Sequence, residues 1–135
     1  MTNRRAQRAP RPLPAACPAA LLALLLAAAC GDAGPASGPG TLTATVVSPN
    51  GAEGAAIVLL VGDGLGAVSP VDGRVFAGQS GDTLRVVVVN DDPGALRFQV
   101  AVADTTRPPQ AVLVEVSGPD DRIRGGAGYA VELRR

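Results

Sequence analysis

The chain has 135 residues, 12 basic and 12 acidic side chains, and no His or Trp. The basic residues are all arginine, with no lysine anywhere. Serine and threonine nucleophiles therefore lack a His or Lys to take their proton, which excludes triad chemistry and its lysine variants. The formal charge of zero conceals an asymmetry: all 12 acids follow Cys30, while four of the 12 arginines precede it.

Residues 1–29 have three parts. Arg4, Arg5, Arg8 and Arg11 form a basic head without an acid; Leu13 to Ala29 is an apolar run rich in Leu and Ala; Ala27, Ala28 and Ala29 bring small side chains to its end. This is the layout of a secretory signal peptide, which is removed and takes no part in the fold. The competing layout is an uncleaved span, which needs about 20 apolar residues; this run is shorter and holds Pro14 and Pro18.

The segment ending at Cys30 resembles a bacterial lipoprotein signal with its lipobox. Ala28 and Ala29 match the small positions, Cys30 the lipidated residue, and Gly31 a common follower. Ala27 departs from the usual Leu, which here is one place earlier at Leu26. The resemblance implies that the Cys30 thiol carries diacylglycerol, that the chain is cut before Cys30, and that the new amine is often acylated. One acyl chain binds a membrane marginally, at ~0.8 kcal/mol per buried methylene, whereas two or three anchor it. The implied location is a membrane-anchored lipoprotein of the cell envelope. An ordinary cleaved signal would instead release a soluble exported protein.

Lipidation would account for a lone cysteine in an exported chain, since Cys17 leaves with the signal. No thiol or imidazole ligand then remains for zinc, copper, haem or iron–sulfur sites. Only oxygen-seeking cations such as calcium stay open. The mature chain carries eight arginines against 12 acids, a charge of −4. That disfavours nucleic acid, which rewards basic clusters.

Residues 31–40, rich in Gly, Pro and Ser, form a flexible spacer beside the lipidated Cys30. The domain is expected over residues 41–135. Residues 41–48 alternate, with Leu42, Ala44 and Val46 on one face. Residues 55–61 are continuously apolar, as in a strand buried on both sides. Residues 74–77 form a short strand, and 83–90 hold four consecutive valines, a strong β signal. Asp91-Asp92-Pro93-Gly94 predicts a type II turn that closes a hairpin to residues 95–103. In 95–103, Leu96, Phe98, Val100 and Val102 face inward. In residues 111–117, Val112, Val114 and Val116 point in and Glu115 out. Residues 129–133 close the set, with Ala130 and Glu132 outside. About seven short strands without a helical period predict an all-β fold, a single antiparallel β-sandwich.

Four features invite a functional reading. Residues 57–66 run from an apolar strand into Gly62-Asp63-Gly64, similar to the first strand and metal-binding Asp of the alkaline phosphatase superfamily. That family needs several hundred residues and His ligands, which this chain lacks. Gly62, Gly64 and Ala67 fit a dinucleotide fingerprint only if a helix opens there, and Ser69-Pro70-Val71-Asp72-Gly73 breaks helices. The plain expectation is a glycine-rich loop. Asp91, Asp92, Asp120 and Asp121 are calcium candidates if the fold unites them, and otherwise solvated turn acids. Arg107 with Arg122, Ile123 and Arg124 could form a small basic spot, or be ordinary surface arginine.

The domain pattern resembles cohesin-like and immunoglobulin-like sandwiches of bacterial surface proteins. The carriers are residues 54–59, Val86 to Val89, and residues 93–98. Such modules imply protein interaction in the cell envelope and no cofactor. Three functions are therefore expected in competition: a non-enzymatic lipid-anchored module that binds an envelope partner; an accessory subunit of an envelope complex, docking by strand addition; and a small hydrolase with an unrecognised site.

Overall fold

Val, Leu and Ala at alternate positions, interrupted every few residues by Gly, Pro or Asp, give short strands from Gly40 to Arg134. A computed structural model describes residue 34 and residues 36–135. The segment expected to be a signal, residues 1–29, and Cys30 lie outside the described residues. Within them 62% of residues are strand and none is helical.

The strands are β1 (Gly40–Val47), β2 (Glu53–Val61), β3 (Leu65–Pro70), β4 (Arg74–Ser80), β5 (Thr83–Gly94), β6 (Arg97–Val102), β7 (Gln110–Ser117), β8 (Ile123–Arg124) and β9 (Ala130–Arg134). They form two antiparallel sheets, ordered β3-β6-β1-β9 and β4-β5-β2-β7-β8, which do not close into a barrel. The expected β-sandwich is therefore present. Only β4–β5 and β7–β8 are consecutive strands paired within one sheet; every other connection changes sheet.

The core follows from register. In the four-stranded sheet Ala44 of β1 lies between Phe98 of β6 and Leu133 of β9, so a small side chain is flanked by larger ones. In the five-stranded sheet Val58 of β2 lies between Val86 of β5 and Leu113 of β7. Leu42, Ala44, Val46, Phe98, Val100 and Val102 meet Ala56, Val58, Leu60, Leu84, Val86 and Val88 across the sandwich, all buried. Phe98 is fully buried and has the largest side chain of the core. Burying each Val, Leu or Phe stabilises the fold by roughly 1.5–3 kcal/mol.

The structure corrects the sequence reading in four places. There are nine strands among the described residues, against about seven expected: β3 occupies residues read as loop, and β8 is only two residues long. Asp91-Asp92-Pro93-Gly94 closes no hairpin. It continues β5, and the pairing with β2 jumps from Val89 opposite Ala55 to Gly94 opposite Glu53. Asn90 Nδ2 donates to Ala95 O at 3.0 Å and closes this excursion. The chain then crosses to the other sheet through Leu96, which is buried and whose carbonyl accepts from Val46 N at 3.0 Å.

The third correction concerns β7. Its register against β2 slips between Glu115, opposite Ile57, and Leu113, opposite Val58. Val114 is the extra residue of this β-bulge, so strict alternation fails. Leu113 packs on the core, while Val112 and Val114 are exposed instead of pointing inward. The fourth concerns β2. Ala56, Val58 and Leu60 are buried, but Ala55, Ile57, Leu59 and Val61 remain half-exposed. The strand is central within its sheet and covered on one face only.

Candidate functional site

Three places concentrate polar or uncovered groups. The first is one end of the sandwich. Glu53, at the start of β2, is the single buried charged residue among the described ones. Its Oε1 accepts from Ser48 Oγ at 2.6 Å, from Tyr129 Oη at 2.7 Å and from Arg124 Nη1 at 3.1 Å. Asn50 Nδ2 donates in turn to Tyr129 Oη at 2.8 Å. Glu53 Oε2 is buried without a partner.

Ser48 follows β1 and Tyr129 precedes β9, both of the four-stranded sheet; Glu53 and Arg124 lie on β2 and β8 of the other. The cluster is thus a polar latch between the sheets. Gly118 makes room for it, because a Cβ there would collide with the Arg124 guanidinium. Burial works against the Arg124 charge, but Tyr129 and the carboxylates of Glu53 and Asp120 outweigh it and raise the guanidinium above its ordinary range. Composition and alternation gave no warning of this latch. The available signal was one acid at the mouth of an apolar strand.

The second place gathers the acids singled out from sequence. Asp91 pairs with Arg74, and Asp92 lies beside it on an open groove of about 470 Å³ that also holds Asp72, Asn90 and Arg97. Arg97 Nη2 lies 2.7 Å from Asp72 Oδ2. Asp120 lies 3.7 Å from Arg122 and 3.8 Å from Arg124. Asp121 follows in the β7–β8 turn with φ 59°. Asp91 and Asp121 line a common depression, which Asp92 and Asp120 do not reach. The fold therefore brings together one member of each pair rather than all four. No group of three or more His, Cys, Asp or Glu residues gathers as metal ligands among the described residues.

Asp63 sits in the β2–β3 turn beside Gly64, Ala103, Asp104 and Arg107. Gly64 has φ +68° and lies against Ala103, and the strand β3 follows, so no helix N-terminus stands there to receive a phosphate. Asp104 organises the neighbouring loop: it accepts from Thr106 Oγ1 at 2.7 Å, Thr106 N at 2.9 Å and Gly38 N at 3.3 Å. The Thr106 hydroxyl and amide, with smaller help from Gly38 and Arg107, hold the Asp104 carboxyl below its usual range. Arg107, Arg122 and Arg124 do not meet as one basic spot. Arg107 belongs to the loop before β7, whereas Arg122 and Arg124 lie beyond its other end.

The third place is the outward face and outer edge of the five-stranded sheet. Phe76 of β4, Val87 of β5 and Ile57 of β2 lie side by side in register. The next row runs Gly78, Arg85, Leu59 and Val112, and Val114 joins its apolar end from the bulge. Antiparallel sheets commonly turn a polar face to water; this one turns an apolar stripe. Phe76 is 60% exposed. Beside it a hollow of about 360 Å³ opens, lined by Gly78, Ser80, Arg85 and Val87 among others. Gly78 leaves that hollow empty, since a Cβ there would meet nothing within 4 Å.

Edge strands are commonly blunted by charge, proline, bulges or shortness. β3 has Pro70 and a bulge between Leu65 and Val68. β9 carries Glu132 and Arg134, and β8 is two residues long. β4 runs seven residues in unbroken register with β5, has no proline, and carries one charge, at Arg74. Comparison of the chain with family models, curated proteins and solved structures returns no match.

Proposed function

We propose that this chain is a non-enzymatic, lipid-anchored module of the bacterial cell envelope that binds a protein partner. The observation that carries the binding half is the uncovered apolar stripe of Phe76, Val87, Ile57, Leu59, Val112 and Val114 on the five-stranded sheet. Contiguous exposed apolar surface is characteristic of interaction sites. The anchoring half rests on the sequence ending at Ala29-Cys30.

Mass spectrometry of the mature N-terminus tests the anchor, with a diacylglyceryl-modified Cys30 expected. An unmodified Cys30 or an intact Met1 refutes it. Cross-linking in whole cells tests the face: a partner held by the native chain should be lost on Val112→Asp or Val114→Asp. Retention by both variants refutes that face.

A second reading, docking by strand addition, is favoured by the unguarded β4 edge. Added strands draw their affinity from main-chain hydrogen bonds and their specificity from alternate side chains.

A further inference from the structure

We propose that β4 pairs antiparallel with β4 of a second copy, about a two-fold axis through Ala77. The proposal rests on the strand-addition reading and names its occupant.

The argument is self-complementarity on one strand. A two-fold pairing centred on Ala77 sets Phe76 of each copy opposite Gly78 of the other, Val75 opposite Gln79, and Arg74 opposite Ser80. Phe76 is the projecting side chain of the edge, and Gly78 floors the hollow beside it. The two lie on the same face, two residues apart, so one operation fills both hollows. A surface patch that matches itself in this way is what an isologous dimer requires.

Charge complements shape. Arg85 lies opposite Gly78 on β5 and lines the hollow. It makes no ion pair among the described residues, whereas Arg74, Arg97, Arg107, Arg122, Arg124 and Arg134 each have a carboxylate within 4 Å. A Phe76 ring from the other copy, lying over Gly78, comes within reach of this unpaired guanidinium. Cations favour the face of an aromatic ring. Inserted aromatics also compensate for glycine in paired strands.

Area sets the strength. Seven residues at ~3.4 Å make an edge about 24 Å long, and pairing covers on the order of 300–400 Å² per copy. A stable interface covers about 800 Å² per partner. The pair is therefore weak between free molecules and gains from tethering two copies to one membrane, which raises their effective concentration.

The test is disulfide trapping of the full chain in cells that produce it. Ala77→Cys places two thiols across the axis. Opposed residues of an antiparallel pair have Cα atoms about 4.5–5.5 Å apart, within disulfide reach. Mild oxidation should give a covalent dimer well above the background of the unsubstituted chain. Gln79→Cys should not, because the two copies of residue 79 lie about 14 Å apart along the strands. In the Ala77→Cys chain, Gly78→Val should cut the dimer at least fivefold by filling the hollow. Phe76→Ala should do the same by removing the knob, and Arg85→Ala should cut it about twofold. None of these touches the core, and an unchanged far-UV spectrum checks the fold.

Equal trapping by Ala77→Cys and Gln79→Cys overturns the proposal. So does a dimer that survives both Gly78→Val and Phe76→Ala. Trapping of Ala77→Cys onto a different envelope protein alone refutes self-pairing while strand addition stands. No trapping to anything refutes both.

Discussion

Glu53 and Asp104 show two ways in which a carboxylate holds this small domain together. Glu53 is inside, 2% exposed at the side chain, and gathers an arginine and two hydroxyls from both sheets. Removing one partner of a buried pair leaves the other charge uncompensated, which costs roughly 3–5 kcal/mol. Arg124→Ala should therefore destabilise strongly, because Glu53 then has no counter-charge. Glu53→Ala should cost somewhat less, since Arg124 is 26% exposed and can recover water. Tyr129→Phe removes one hydrogen bond and should cost about 1 kcal/mol. Urea midpoints at unchanged slope measure all three. Asp104 is outside and acts on its own loop. Its folded carboxyl is held below the ordinary value, so its contribution is present above the unfolded value of about 3.9 and is lost as pH falls through the folded one. Asp104→Asn should lower the melting temperature at pH 7, and the gap to the native chain should close at acid pH. A gap constant from pH 7 to pH 2 would contradict this account.

At the scale of elements, alternation was a sound guide wherever pairing is regular. β1, β6 and β9 present the faces that their sequences predict, with Leu42, Phe98 and Val100 buried and Ala130 and Glu132 outward. It failed at β7, because one bulge residue cannot be distinguished in sequence from a strand residue. Val112, Val114 and Val116 look equivalent on the page, yet only Val116 is buried. It failed at Asp91-Asp92-Pro93-Gly94 for a related reason. Turn chemistry signals a departure from regular pairing, but not whether the chain reverses within its sheet or crosses to the other. The latch was hidden because its members are far apart in sequence, Glu53 and Tyr129 being separated by 76 positions. The bulge yields a sharp prediction. Val114→Thr on the outward face should change stability by under about 0.5 kcal/mol. Leu113→Asp, one residue away, should destabilise strongly, because it sets a charge against the apolar core. Denaturation curves of the two variants would separate the bulged register from the alternating one, in which their effects would exchange.

For the whole molecule the fold and the proposed role rest on different parts of the sequence. The β-sandwich follows from valine-rich runs and spaced turn residues. The proposed location and partner rest on other features: the Cys30 segment, the apolar stripe and the β4 edge. The aspartate pairs are predicted to act as ordinary surface acids. Millimolar calcium should therefore leave the melting temperature within a degree, and a rise of several degrees would reveal a bound cation.

The path of the chain has a consequence of its own. Because nearly every connection crosses from one sheet to the other, most strand neighbours are distant in sequence, and β4–β5, closed by Gly81 and Asp82, is the main pairing that can form locally. Such non-local topologies fold in milliseconds to seconds rather than microseconds. A chain that delays its own closure stays threadable for longer, a kinetic allowance that would suit the export proposed above.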